Sequence, residues 1–151
     1  MTKTLASAAL ALALFATTAG ADTKTPNAAA TLTDIEQVIG FVPAFMRSIP
    51  DSLLPGWWDQ VKSLEMNPKT ALDGKTKELI GLAVAAQIPC DYCIYFHTKV
   101  AKANGATDQQ IQEAIGMAAM TRFGSTLMHG SQVDLAQYKK DVDRAFKPAK
   151  K

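Results

Sequence analysis

An apolar run of eight residues, Leu79 to Ala86, constrains the fold more than any other feature of the sequence. Asp73 precedes it as a helix N-cap and Pro89 follows it as an interruption, so the run predicts a helix from about Lys75 to Ile88. A helix that is apolar on every face has to be covered by other elements. We therefore expect this helix in the middle of a helical bundle.

The rest of the chain also shows helical spacing of its apolar residues, with no alternating strand pattern of useful length and no internal repeat. The sequence predicts one all-α domain of six to eight helices over residues 31–147. One further helix is predicted to start at Thr31 or Thr33 and to end before Gly40. The others are predicted over Ala44 to Ser48, Pro50 to about Glu65, Asp91 to Asn104, Thr107 to a break at Ser125 to Gly130, and Val133 to Phe146.

The first 21 residues resemble a secretory signal peptide. Lys3 gives a short positive region, Leu5 to Ala16 is apolar apart from one serine, and small residues end at Ala21. This apolar stretch is shorter than the roughly 20 residues needed to cross a bilayer. We expect cleavage after Ala21, a periplasmic location with no membrane attachment afterwards, and a flexible lead over residues 22–30.

The charge balance excludes some partners. A formal net charge of +2 falls to +1 when Lys3 is removed with the signal peptide. A nearly neutral chain lacks the basic footprint of a nucleic-acid-binding protein, and no charged partner is implied.

The chemistry is concentrated around the only two cysteines of the chain, Cys90 and Cys93. Pro89 places Cys90 at a helix start, where free backbone N–H groups favour a thiolate. Cys93 and His97 are four residues apart and share a helical face with Cys90. A nucleophilic thiol, a second thiol that closes a disulfide and an imidazole that relays a proton make a redox unit. The competing interpretation is an inert disulfide formed in an oxidising compartment.

Glu78 completes this site if its helix packs antiparallel to the cysteine helix across Pro89. A carboxylate at the start of an apolar helix would be partly desolvated and could act as a general base. The alternatives are an exposed glutamate in a first helical turn and, for His97, a histidine at the edge of the core. His129 has no suggestive partner spacing and is expected to be exposed at a helix end.

Cofactor readings of the motif fit less well. Haem attachment needs a histidine directly after the second cysteine, and Ile94 occupies that position. Zinc would require Cys90, Cys93, His97 and Glu78, whose spacings match no common finger or ribbon. We expect neither a metal nor a cofactor.

The set Glu78, Cys90, Cys93 and His97, with separations of 12, 3 and 4 residues, resembles the motif of the alkyl hydroperoxidase D-like (AhpD-like) branch of the carboxymuconolactone decarboxylase superfamily. The resemblance covers roughly residues 40 to 122, including Gly40-Phe41-Val42-Pro43 and Gly105-Ala106-Thr107. It implies an all-helical fold, homotrimers or homohexamers, and thiol-dependent reduction of organic hydroperoxides by an unidentified thiol or disulfide electron donor.

In that family's chemistry Cys93 would attack the peroxide, Cys90 would donate a proton and then close the disulfide, and Glu78 and His97 would relay protons. The helix-start argument instead favours Cys90 as the thiolate. The best-known members carry a histidine where this chain has Tyr92, whose hydroxyl cannot take up and release a proton near neutral pH as an imidazole does.

Two questions about function stay open at the level of the sequence. Four aromatic residues could line an apolar mouth for an alkyl peroxide or belong to the core: Phe41, Phe45, Trp57 and Trp58. The alternatives to a peroxidase are a decarboxylase-type carbon-acid enzyme on the same fold and a non-catalytic helical module with a structural disulfide.

Overall fold

The computed structural model describes residues 27–147, so the predicted signal peptide and residues 22–26 of the predicted lead lie outside the described residues. The described part contains six α-helices and no β-strand, which confirms the all-α fold. No helix between residues 27 and 147 is both long and apolar enough to cross a membrane. The chain divides into two compact units between Pro55 and Gly56.

The first unit contains helix α1, Ala28–Ile39, and a 3-10 helix, Ala44–Ser48. The predicted start of α1 at Thr31 or Thr33 is wrong. The side chain of Asn27 accepts a hydrogen bond from the Ala30 amide at 2.7 Å and caps the helix. Three alanines, the best helix formers, follow this cap. Residues 28–30, predicted as part of a flexible lead, are therefore helical.

Helix α2, Leu54–Gln60, continues directly into a π-helical turn, Val61–Glu65. The sequence predicted one regular helix from Pro50 to Glu65. The structure starts it four residues later, because the Pro50 carbonyl accepts the amides of Leu53 and Leu54 in a preceding turn. The predicted break at Asn67-Pro68 is confirmed.

The other helices all lie in the second unit, and two of the four begin at caps that the sequence predicted. They are α3, Gly74–Gln87; α4, Asp91–Ala103; α5, Asp108–Gly130; and α6, Leu135–Ala145. Asp73 caps α3, and Thr107 with Gln110 forms the predicted capping box of α5. Asp134 caps α6.

Helix α5 corrects one prediction, because residues 125–130 form its last turns rather than a break. The Thr126 hydroxyl donates to the Arg122 carbonyl at 2.9 Å, so this polar side chain is satisfied inside the helix. The helix ends at Gly130, and Gln132, two residues beyond it, takes a positive φ of 53°.

Helix α3 packs against both α4 and α5, as expected for the apolar helix of the sequence. Its buried residues include Leu82 and Ala85. The expectation that every face is covered does not hold within the described chain, because Val84 is 54% exposed and Ile80 is exposed beside it. One apolar stripe of α3 thus faces outward.

Candidate functional site

Helices α3 and α4 run antiparallel across the Pro89 turn. The first residue of α3, Gly74, lies against Asn104 at the end of α4, and Gly81 lies against His97 in the middle of α4. This packing is the arrangement on which the predicted role of Glu78 depends. It brings together Glu78 and His97, which are 19 residues apart in the sequence.

The Glu78 carboxylate and the His97 ring form the central contact of the site. Glu78 Oε2 and His97 Nδ1 are 2.7 Å apart, and Glu78 is only 2% exposed. The alternative of an exposed glutamate is therefore excluded. The His97 side chain is 23% exposed, so it connects the buried carboxylate to the surface. A carboxylate held against an imidazole fixes the orientation of the ring.

Gly81, which was not predicted to belong to the site, makes this close approach possible. A Cβ atom at this position would lie 2.5 to 2.8 Å from three atoms of the His97 ring. No side chain larger than hydrogen leaves the ring where it is. A glycine inside an apolar helix was the available signal, because glycine weakens a helix unless something approaches its backbone closely.

Cys90 and Cys93 are joined by a disulfide bond at the start of α4. Cys90 is the N-cap of the helix, and its sulfur accepts the Cys93 amide at 3.2 Å. Both residues are half-buried. The pair is thus accessible and lies one helical turn before His97, which places the predicted redox residues on consecutive turns of one helix.

Tyr92 lies between the two cysteines and is 90% exposed. Its ring therefore projects into solvent rather than toward the buried Glu78 carboxylate.

Glu65, which the sequence analysis did not single out, is a third ionisable group of the site. One ligand-type atom from each of Glu65, Glu78 and His97 lies within 4.8 Å of the others. Burial, together with the negative charge of Glu78, raises the pKa of Glu65, while the positive charges of His97 and Lys77 oppose this shift. The hydrogen bond between Glu78 and His97 explains why these two side chains lie so close together, and we assign no metal to the three residues.

Lys77 fixes the segment that carries Glu65. Its ammonium group donates to the carbonyl oxygens of Leu64 and Asn67, each at 2.8 Å. The π-helical turn thus ends against the first turn of α3, and Glu65 lies beside Glu78 and His97. π-helical turns are rare in proteins, and those that do occur are often found at functional sites.

The zinc set weighed as an alternative is not assembled in the oxidised protein, because the disulfide joins the sulfurs of Cys90 and Cys93. Thiolates, not disulfide sulfurs, are the ligands of zinc sites. His129 lies exposed in the last turn of α5, as expected.

A small open pocket of about 210 Å³ adjoins the site on the side of Glu65. Trp57 is the one predicted mouth residue that lines it, whereas Trp58 is buried in the core. Phe41 and Phe45 belong to the first unit and are exposed. The pocket is lined by Trp57, Gln60, Val61, Leu64 and Glu65.

The fold agrees with those of known proteins. The model of the carboxymuconolactone decarboxylase family matches residues 53–134, more than half of the chain. Among solved structures, the core of the alkylhydroperoxidase AhpD from Rhodospirillum rubrum is similar, with a TM-score of 0.63 and 31% sequence identity over 72% of this chain and 82% of that one. The chain belongs to the carboxymuconolactone decarboxylase family. Within that superfamily it is an AhpD-like member, as the motif predicted.

Two curated relatives match a shorter stretch. A protein of Paracoccus denitrificans described as uncharacterized protein 4 in cox locus is 47% identical over 62 residues, which cover 41% of this chain and 56% of that protein. An uncharacterized protein of Cupriavidus necator is 36% identical over 62 residues, covering 41% and 55%. The chain therefore spans about half the length of the curated relatives that it matches.

Proposed function

We propose that this protein is a thiol-dependent peroxidase and thiol-disulfide oxidoreductase that reduces organic hydroperoxides. The observation that carries the proposal is the disulfide at the start of α4, one turn before a histidine held by a buried carboxylate. A similar solved protein is described as an alkylhydroperoxidase.

In the reduced protein Cys93 would lose its proton to the pair of Glu78 and His97, and its thiolate would attack the outer oxygen of the hydroperoxide. The O–O bond breaks, Cys93 becomes a sulfenic acid, and the relay returns the proton to the leaving alkoxide, giving an alcohol. The Cys90 thiol then displaces water and closes the disulfide. Two thiols are oxidised, and one hydroperoxide is reduced to alcohol and water.

The disulfide must be reduced before the next turnover, so the proposal requires a thiol or dithiol electron donor. The direction of exchange depends on the reduction potential of the Cys90–Cys93 pair relative to that donor. Equilibration with a series of thiol buffers measures this potential. A strongly oxidising value would favour disulfide exchange over peroxide reduction as the main activity.

A single-turnover assay tests the peroxidase proposal. Protein reduced with dithiothreitol and freed of excess reagent should consume about one equivalent of cumene hydroperoxide and regain its disulfide. Cys93→Ser should consume none, whereas Cys90→Ser should react once and stop at a sulfenic acid that dimedone traps. Equal consumption rates for wild type and Cys93→Ser would refute the proposal. The reverse pattern would make Cys90 the nucleophile.

The same variants test the alternatives. A decarboxylase-type enzyme needs no dithiol, so its activity would survive when both cysteines are replaced by serine. A structural disulfide in a non-catalytic module would resist mild dithiols in the folded protein. The half-buried position of both cysteines favours ready reduction instead.

We also propose that the protein acts as a homotrimer or homohexamer. A row of exposed apolar side chains runs along α5, and Phe123 alone is 66% exposed. Exposed apolar surface of this extent is typical of an interface. The row consists of Met117, Met120, Phe123 and Leu127.

The oligomer proposal is testable by light scattering coupled to gel filtration. Phe123→Lys should lower the measured mass to that of smaller assemblies, while Gln112→Lys, on an exposed polar position of the same helix, should not. A monomeric wild-type protein would refute it.

Export to the periplasm is a further proposal, supported by the signal-like residues 1–21. Intact mass spectrometry of the protein purified from the periplasm of an expressing bacterium should show a chain that begins at Asp22. A full-length chain retained inside the cell would contradict export.

A further inference from the structure

Glu65 stands close to the relay without being part of the motif from which the relay was predicted. The Glu78 carboxylate and the His97 imidazolium can cancel each other's charge across their 2.7 Å contact. Glu65 adds a second carboxylate within 4.8 Å of both partners. When Glu65 is ionised, the three groups therefore carry one negative charge that the pair of Glu78 and His97 does not neutralise.

The charged groups that face Glu65 are Glu78 and Lys77 from α3 and His97 from α4. Lys77 cannot approach Glu65 freely, because its ammonium group is bound to the Leu64 and Asn67 carbonyl oxygens. Glu65 and Glu78 thus share the His97 imidazolium as their most direct positively charged partner. The position of Glu65 is fixed by the π-helical turn, and its carboxyl group also lines the open pocket.

We propose that Glu65 is a positioning residue of the redox site, which acts through Glu78 and His97 by setting the pH range in which this pair accepts a proton from the cysteines. The link to catalysis rests on the proposed peroxidase function, but the charge coupling does not. An ionised Glu65 stabilises the imidazolium form of His97. Its removal should therefore make His97 release its proton at a lower pH.

The chain offers a favourable test, because His97 and His129 are its only histidines. Their ring C–H signals can be followed by NMR during a pH titration of the oxidised protein and assigned with His129→Gln. In Glu65→Gln the titration midpoint of His97 should fall by about half to one pH unit, for a charge near 5 Å in a partly solvated site. The midpoint of exposed His129 should stay unchanged.

Two further variants separate charge from structure. Glu65→Asp keeps a carboxylate and should retain most of the wild-type His97 midpoint. Glu113→Gln removes one exposed carboxylate from α5 and should leave both histidines unchanged. An unchanged His97 midpoint in Glu65→Gln, or an equal shift in Glu65→Asp, would overturn the proposal.

A rate profile connects the coupling to the reaction. The acidic limb of the pH profile for hydroperoxide consumption should move to lower pH in Glu65→Gln by the same amount as the His97 signal. A limb that stays in place while the NMR midpoint moves would overturn the role of Glu65 in setting the pH range. If no hydroperoxide is consumed by wild type, the peroxidase proposal fails, whereas a shifted His97 signal would still establish the charge coupling.

Discussion

Helix α3 is fastened to its neighbours by polar contacts near its two ends, and the two contacts differ in burial and in chemistry. Near its start, the buried Glu78 carboxylate holds His97 of α4. At its last residue, the Gln87 amide donates to the Ala118 carbonyl of α5 and accepts a hydrogen bond from Arg122 at 2.7 Å, in a more exposed setting.

The difference separates a structural contact from a reactive one. An amide and a guanidinium can only hold two helices together, because neither changes its protonation near neutral pH. A carboxylate and an imidazole hold the helices and share a proton that can move. Burying such a pair costs desolvation energy. The sequence carries that cost at the Glu78–His97 contact, whose histidine lies one helical turn after Cys93 in α4.

The largest expected effect comes from removing the ionisable carboxylate from the contact between Glu78 and His97. Glu78→Gln keeps the size of the side chain and can still accept a hydrogen bond from His97, but it cannot take a proton. Hydroperoxide consumption should fall about 100-fold, as for the loss of a general base, with little change in melting temperature. The measurement is the single-turnover rate together with thermal unfolding.

Gln87→Ala is the matched variant at the other end of α3. It should lower the free energy of unfolding by about 1 kcal/mol through lost hydrogen bonds and leave the rate within about twofold of wild type. Similar losses of rate in both variants would remove the distinction between the two contacts.

The second effect concerns the space that His97 needs. Gly81→Ala places a methyl group inside the volume of the His97 ring. We expect a loss of about 1–3 kcal/mol in unfolding free energy, typical of overpacking, and about a tenfold lower rate as the ring moves away from Glu78.

Gly116→Ala is the control for Gly81→Ala. A Cβ atom at Gly116, within α5, meets nothing within 4 Å. Alanine should therefore stabilise the protein by about 0.5–1 kcal/mol through helix propensity alone. Two substitutions of the same type should thus change stability in opposite directions, and a shared sign would contradict the predicted clash at His97.

The smallest effect is the dependence of stability on the charge of Glu65. Because the folded structure raises the pKa of Glu65, its stabilising contribution is fully present below its unfolded pKa and is lost as the pH rises through the folded value. Glu65→Gln should therefore be more stable than wild type at pH 7, by less than about 1 kcal/mol, and equal to it near pH 4. Urea unfolding at both pH values measures the difference, and a larger gain at pH 4 would contradict the sign.

Much of the fold was predictable because its signals are local. Asp73 and the Thr107 capping box mark helix starts by side-chain bonds to nearby amides, and these bonds do not depend on the rest of the molecule. The contact of Glu78 with His97 was predictable once Pro89 implied a helical hairpin. The end of α5 was missed because Ser125 and Gly130 are weak helix formers, yet the helix continues through them with the Thr126 hydroxyl bonded to the Arg122 carbonyl.

Glu65 and Gly81 were missed for a different reason. Each matters through a neighbour on another segment, Gly81 through the His97 ring and Glu65 through the charges of two helices. Spacing along one helix cannot show such contacts. The irregular winding of Val61–Glu65 left no trace in the apolar pattern either.

That π-helical turn makes the site sensitive to the number of residues in the chain as well as to their identity. A π-helical turn holds one residue more than an α-helical turn, so deleting one residue from Val61–Glu65 and restoring regular winding would largely keep the register of the side chains on either side. The loss would fall on the pocket wall, to which Val61, Leu64 and Glu65 contribute. A one-residue deletion here would therefore alter the pocket while every residue of the motif kept its place.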